Sequence, residues 1–364
     1  SAKAPKHPFA YRLVVDDFNG DGLDDVFAGS MGLSVAQREG WGIDPFPHFL
    51  LLSNSSGMFE ESSANIEDEN NGLGQLCRFA HDASGGDPDG DGDVDLFACN
   101  MLLVNDGAGN FTIHPHLNLD WHYKYASPMS SLLADLNNDG FDDILIGAPY
   151  SDDESNNGGA VYLISTIDLH NSTLVLSEQP RYTGPQEDEH VGYGLSKAGD
   201  TNADGYQDML IGAPDYDENY SAEGAAYLLM GDGFGWDGTT SLDTASLKMI
   251  GENTNDKVGL FMSSIGDFNG DGNEDFALAA HNHDLAANNA GAIYGILGNQ
   301  HTGVLYLEQD ADFILLGATN NDGIGKGLVP AGDTNADGLF DFWVAGVGAG
   351  STGSVYLWHG AESP

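Results

Sequence analysis

Carboxylates recur in this sequence in one fixed pattern, Asp-x-(Asp/Asn)-x-Asp-Gly-x-x-Asp, which occurs six times. The copies begin at Asp17, Asp87, Asp135, Asp200, Asp267 and Asp333, and read DFNGDGLDD, DPDGDGDVD, DLNNDGFDD, DTNADGYQD, DFNGDGNED and DTNADGLFD. In a tight loop, alternate residues point their side-chain oxygens at one centre. Positions 1, 3 and 5 supply Asp17, Asn19 and Asp21; Asp87, Asp89 and Asp91; Asp135, Asn137 and Asp139. The later copies supply Asp200, Asn202 and Asp204; Asp267, Asn269 and Asp271; Asp333, Asn335 and Asp337. Position 6 is Gly throughout, as a sharp turn with positive φ requires. Position 7 is then free to offer its backbone carbonyl, from Leu23, Asp93, Phe141, Tyr206, Asn273 and Leu339. Position 9 adds a last carboxylate from Asp25, Asp95, Asp143, Asp208, Asp275 and Asp341. Every donor is a hard oxygen, with no Cys or His. Six or seven such donors suit calcium, whereas magnesium takes fewer protein ligands and keeps more water. The pattern predicts about six calcium sites.

The helical calcium loop of the EF-hand starts the same way but needs Glu at position 12 and a helix on each side. Here position 12 is Ala28, Ala98, Ile146, Ile211, Leu278 and Val344. These apolar residues belong to a strand, so each loop is nine residues long and joins two strands. An acidic turn without an ion is the plain alternative, since Asp, Asn and Gly favour turns anyway. Repetition argues against it. Like charges about 4 Å apart repel by on the order of 1 to 4 kcal/mol, and a turn gains nothing from that. With free calcium tenfold above each dissociation constant, a site contributes roughly 1.4 kcal/mol of stability, and six contribute about 8 kcal/mol. That matches the stability of an ordinary domain, so calcium is expected to be structural.

The elements that position these loops are short. Each loop runs straight into an apolar segment such as Ile144-Leu145-Ile146, Met209-Leu210-Ile211 or Phe342-Trp343-Val344. A Gly-rich polar loop and a second segment follow, as in Val161–Ile164, Ala226–Leu229 and Val355–Trp358. A weaker third segment comes next, as in Leu247–Ile250 and Phe313–Leu316, and another apolar piece precedes each loop, as in Leu13-Val14-Val15. Runs of four to seven residues bounded by Gly, Asn, Asp or Pro are strands. The loops start 70, 48, 65, 67 and 66 residues apart, and counting on from Asp333 through the chain end to Asp17 gives 48 more. Four strands per unit, repeated in series, are propeller blades, since a lone four-stranded sheet cannot bury both faces. The expectation is an all-β protein, a single β-propeller domain over residues 1–364, with six blades favoured and seven as the alternative. The last unit lacks a fourth strand, and Pro5 and Pro8 make the N-terminal stretch a poor substitute. Cys77 and Cys99 allow one bridge or two buried thiols.

These residues resemble the FG-GAP repeats of the integrin α-subunit N-terminal propeller. The resemblance rests on Gly192-Tyr193-Gly194, the loop that follows and Gly212-Ala213-Pro214, and on Gly147-Ala148-Pro149. The first two units are similar to bacterial VCBS-type repeats, as in Leu52-Ser53-Asn54 and Val104-Asn105-Asp106-Gly107. The Gly-Ala-Pro element is altered to Ala279-Ala280-His281 and Gly346-Val347-Gly348. The resemblance implies a calcium-stabilised extracellular propeller for recognition or adhesion, secreted or at the cell surface. It also implies that positions 1, 3, 5 and 9 bind through side chains and position 7 through its carbonyl. Integrin α propellers have seven blades and fewer calcium loops, so an integrin-like partner does not carry over.

Composition narrows the partners. With 57 acidic and 11 basic residues the formal charge is −46, and six divalent ions bring it only to −34. Nucleic acid and anionic membranes are repelled, and no apolar run is long enough for a transmembrane helix. The partner is expected to be a protein or a glycan, met by a monomer or by a domain of a larger surface protein. Candidate contact loops are Ser30–His48, Tyr150–Gly158 and Asp215–Glu223, with Trp41, Trp121, Trp236 and Tyr220 as aromatic platforms. A lectin, or a polysaccharide lyase or hydrolase, is the alternative. It would draw on Arg12, Arg38, Arg78 and Arg181 and on the near pairs His114/His116 and His281/His283. No nucleophile elbow, zinc-protease or phosphate-loop motif is present, and the chain is read as non-enzymatic. Sequons stand at Asn54, Asn110, Asn171 and Asn219.

Overall fold

A computed structural model of the chain describes residues 10–30, 48–67, 82–98, 100–118, 129–165, 176–231, 238–348 and 353–361. Cys77, Cys99, Trp41, Trp121, Trp236, Arg38, Arg78 and Asn171 lie outside them, as does nearly all of Ser30–His48. The described residues form a six-bladed β-propeller. Blade 1 holds β1 (Ala10–Asp16), β2 (Asp25–Ser30), β3 (Phe49–Ser53) and β4 (Phe59–Glu61). Blade 2 holds β5 (Ala83–Gly86), β6 (Asp95–Ala98), β7 (Met101–Asn105) and β8 (Phe111–Asn118). Blade 3 is built from β9 (Ser130–Ala134), β10 (Asp143–Ala148), β11 (Ala160–Ile164) and β12 (Arg181–Thr183). Blade 4 has β13 (Gly194–Gly199), β14 (Asp208–Ala213), β15 (Ala225–Leu229) and β17 (Leu247–Ile250). Blade 5 has β18 (Phe261–Gly266), β19 (Asp275–Ala280), β20 (Ala292–Ile296) and β22 (Phe313–Leu316). Blade 6 comprises β23 (Ile324–Gly332), β24 (Asp341–Gly346) and β25 (Ser354–Trp358).

Neighbouring strands within a blade are antiparallel. Two short strands had no signal in the sequence. β16 (Thr239–Ser241) leaves blade 4 to pair in parallel with β12 of blade 3. β21 (Gly303–Tyr306) leaves blade 5 to pair in parallel with β17 of blade 4. Each stitches the outer edge of one blade to the next and covers backbone that would otherwise be an open edge.

The second strands are buried on both faces, which is why they read as unbroken apolar runs. Their alternation sends successive side chains to different neighbours. Met209 and Ile211 pack with Leu145 and Val161 of blade 3, while Leu210 packs with Phe276 and Leu278 of blade 5. The same division places Phe27 against Leu96, Phe97 against Ile144, and Ala277 against Phe342. The core is thus a series of layers between blades. The inner strands follow one another in the order β1, β5, β9, β13, β18, β23. The two end faces of this series remain open to solvent: Leu13 and Val15 of blade 1 are 62% and 54% exposed, and Val329 and Val355 of blade 6 are 51% and 66% exposed. The expected closure of the ring falls at this seam.

The Gly-Ala-Pro and Tyr-Gly elements have a common physical reason. Gly192 (φ +83°) and Gly259 (φ +91°) bring their backbones against Gly147 and Gly212 of the preceding blade. A Cβ on Gly212 would stand 1.8 Å from the Gly259 carbonyl oxygen, a backbone atom that cannot step aside. Gly212→Ala is therefore expected to lower unfolding stability by about 1 to 3 kcal/mol, read from a denaturant midpoint. An unchanged midpoint would mean the two blades do not meet there.

Candidate metal centres

Each acidic loop joins the first strand of a blade to its second, so all six lie on one rim of the propeller. Their internal geometry repeats closely. The position-1 carboxylate accepts the N–H of the position-6 Gly in every copy, at 2.7 to 3.0 Å. The position-5 carboxylate accepts the N–H of position 7, from Leu23, Asp93, Phe141, Tyr206, Asn273 and Leu339, at 2.9 to 3.0 Å. The position-3 oxygen accepts the position-5 N–H, as Asn202 does from Asp204 at 2.9 Å. Positions 1, 3 and 5 are thus folded inward on one another in all six loops. In the second loop, carboxylate oxygens of Asp87, Asp89 and Asp91 lie within 4.8 Å of one another.

The turn needs two left-handed residues. Position 6 is Gly with φ between +84° and +93°, and position 4 is Gly20, Gly90, Asn138, Ala203, Gly270 or Ala336, with φ from +56° to +76°. The sequence pattern marked the first requirement and not the second.

Position 9 behaves differently from its neighbours in the motif. Asp25, Asp95, Asp143, Asp208, Asp275 and Asp341 each open the second strand of their blade and are buried. Their carboxylates tie the loop to the end of the third strand. Asp208 accepts from Thr201 N–H at 2.9 Å and from Gly231 N–H at 2.9 Å. Asp275 accepts from Phe268 and Gly298, and Asp341 from Thr334 and Gly360. Asp25 and Asp95 reach Ser53 and Asn105 in the same way. These third-strand donors follow from no motif, because main-chain N–H groups leave no mark on sequence.

Burial at this position is electrostatically costly. It pushes the Asp95 carboxyl up to about 8, with Asp89, Asp91 and Asp87 adding to the effect against the Asn105 N–H. Burial likewise raises Asp143 and Asp275 to about 7, and Asp208 upward. Asp341 goes the other way: burial again raises it, but bonds from Thr334, Gly360 and His359 outweigh that and hold it low. Two oxygens, Asp95 Oδ2 and Asp143 Oδ1, are buried with no hydrogen-bond partner.

The loops are also linked to one another. The N–H of position 8 donates to the position-1 carbonyl of the preceding loop, at 3.1 Å, from Asp142 to Asp87, Glu274 to Asp200 and Phe340 to Asp267. The near pair His281/His283 does not act as one unit, and the side chain of His116 in the other pair lies outside the described residues. His281 is buried edge-on against Phe261 with its pKa lowered to about 4 by burial, and His283 is fully enclosed.

A family model described as "FG-GAP repeat" matches residues 127–164, 191–229 and 263–296. The chain carries FG-GAP repeats. Each match holds the acidic loop or the strand after it, and the first two also hold the Gly-Ala-Pro contact. Integrin alpha pat-2 of Caenorhabditis elegans is 28% identical over 256 residues, which is 63% of this chain and 20% of that protein. Mouse integrin alpha-3 is 40% identical over 85 residues, 22% of this chain and 8% of its own length. Chicken integrin alpha-V is 25% identical over 225 residues, 56% of this chain. The chain thus spans about a fifth or less of the curated relatives it matches.

The FG-GAP loop geometry makes position 6 a clean test. A Cβ on Gly205 would meet nothing within 4 Å, so only its φ of +93° opposes a side chain. Gly205→Ala is expected to cost about 1 to 2 kcal/mol of stability from backbone strain alone. A denaturation curve identical to the parent's would refute the left-handed turn.

Proposed function

We propose that this chain is a calcium-stabilised extracellular recognition module, a single propeller domain in which calcium holds the blades and a protein or glycan partner is met elsewhere. The observation that carries the calcium reading is the pair of buried, partnerless oxygens on Asp95 and Asp143, each next to a loop whose other carboxylates turn inward. A buried carboxylate oxygen without a partner is costly, and a cation is what relieves both it and the repulsion among its neighbours. Side-chain oxygens at positions 1, 3, 5 and 9 and the carbonyl at position 7 would hold the ion. This assigns Asp17, Asn19, Asp21, Leu23 and Asp25 in the first loop and their counterparts in the other five. The ion supplies charge neutralisation. The chain's own residues hold the loop in shape through the Gly turn and fasten it to the third strand through position 9.

Topology supports a recognition surface on the rim opposite the acidic loops. The acidic loops occupy the entry end of each second strand, so the loops leaving its exit end lie on the opposite rim. These include Tyr150–Gly158 and Asp215–Glu223, where Tyr150 and Tyr220 are exposed. No helix among the described residues is long and apolar enough to cross a membrane. The similarity to integrin alpha chains supports an adhesion-type role outside the cell.

Native mass spectrometry of the calcium-loaded chain is expected to show about six bound ions, and Asp139→Ala is expected to remove one of them. Retention of the full count in that variant would sink the ligand assignment. For the partner, binding to a glycan array and to extracellular-matrix proteins is expected to fall when Tyr150 and Tyr220 are replaced by Ala, with calcium uptake unchanged. Binding insensitive to both changes would move the recognition surface elsewhere.

A further inference from the structure

Three consecutive blades bury a tyrosine at the same place on the third strand: Tyr162, Tyr227 and Tyr294. In two of them the hydroxyl is satisfied and a cation stands beside it. Tyr162 donates to Asp153 at 2.8 Å, and Arg181, its cross-strand partner on β12, pairs with the same carboxylate at 2.9 Å. Tyr227 donates to Glu189 at 3.2 Å, and its cross-strand partner on β17 is Lys248, whose ammonium lies 5.6 Å from the Tyr227 ring. Each pocket therefore holds a carboxylate, a phenol and a fixed positive charge.

The third pocket breaks the pattern. The cross-strand partner of Tyr294 is Ile314. The acids remain, and increase: the charges bearing on Tyr294 come from Asp256, Glu308 and Glu252. Where its counterparts are Ser151 and Tyr216, this blade places His283, with its ring edge-on to Tyr294 at 6.0 Å. Asp256 and His283 are each 1% exposed. The imidazole Nδ1 lies 3.0 Å from Asp256, and Nε2 lies 3.3 Å from Glu308. Asn253 closes the group, donating to Glu308 and lying 3.3 Å from the imidazole Nδ1. Two polar atoms are buried here without a hydrogen-bond partner, Tyr294 Oη and His283 Nε2. One donor atom from each of Asp256, His283 and Glu308 lies within 4.8 Å of the others.

We infer that Asp256, His283 and Glu308 bind a divalent transition-metal ion of the zinc class, which replaces the cation that Arg181 and Lys248 provide in the two preceding blades. The donor set is chemically distinct from the calcium loops. One imidazole nitrogen with two carboxylates selects borderline ions such as zinc, while all-oxygen loops select calcium. Bonds of about 2.1 Å bring three donors within about 3 to 4 Å of one another, a small contraction from the present separations. The Tyr294 ring packs edge-on against His283 and its hydroxyl is buried with no hydrogen-bond partner, and Glu308, 27% exposed, gives the ion its way in. The site lies between blades 4 and 5, since Asp256 precedes β18 and His283 follows β19, while Glu308 sits in the one-turn helix Leu307–Asp310 after β21. Its occupation would clamp the same joint that Gly259 makes with Gly212.

The test is a calorimetric titration of the full chain with zinc in saturating calcium, repeated with cobalt to read its absorption spectrum. The parent is expected to take up one zinc that calcium does not displace, and to give a cobalt spectrum with a nitrogen ligand. Ile314→Lys restores the cation of the neighbouring blades and is expected to weaken zinc binding by at least about 100-fold, beyond the usual effect of an outer-shell change. His283→Gln is expected to do the same, and Glu308→Gln, at a partly exposed position, guards against a folding defect in the other two. No zinc uptake by the parent would mean that His283 itself is the pocket's cation and would overturn the proposal. So would uptake unchanged in Ile314→Lys and Glu308→Gln.

Discussion

A buried carboxylate at the start of the second strand is the constraint on which the rest of this propeller depends. It recurs in all six blades, and in five of them it accepts a main-chain hydrogen bond from the third strand or from the residue two past its end. It therefore fixes where the acidic loop sits relative to the sheet that follows. The arrangement concentrates negative charge in a place where burial already penalises it, as the upward shifts at Asp95, Asp143 and Asp275 record. Apolar layers between blades supply most of the cohesion. The loop rim is where the fold works against itself, and where a cation has most to contribute.

Much of this was legible in sequence. The nine-residue motif, with an apolar residue at position 12, placed each loop between strands, and the strands stand there. Ile144–Ile146 and Met209–Ile211 read as continuous apolar runs because both faces of β10 and β14 are covered by neighbouring blades. The Gly-Ala-Pro element was visible as letters, but its reason, a glycine-to-glycine approach between blades, needed coordinates. Main-chain events left no trace. The pairing of β12 with β16, the links from Asp142, Glu274 and Phe340 to the preceding loop, and the Gly231 and Gly298 donors belong to this class. The exposed end faces were equally illegible, because Leu13 and Val355 look like any other strand residue until their neighbours are known.

The two rims carry different kinds of information. The acidic rim is nearly the same in every blade, as befits a structural device. The opposite rim varies from blade to blade, and its buried clusters diverge most where Arg181 and Lys248 give way to Ile314. His281 and His283, a near pair in sequence, occupy separate surroundings there: one is pressed against Phe261, the other held between Asp256 and Glu308. Repetition makes such departures readable, since each blade serves as the reference for the next.

Thermal unfolding of the chain with saturating calcium and then with a chelator addresses the central claim most directly. If calcium supports the loop rim, chelation should remove about 8 kcal/mol and lower the melting temperature by on the order of 10 to 20 °C, with full recovery when calcium is restored. A melting temperature unchanged by chelation would contradict the account, leaving the six acidic loops as turns held by their own hydrogen bonds.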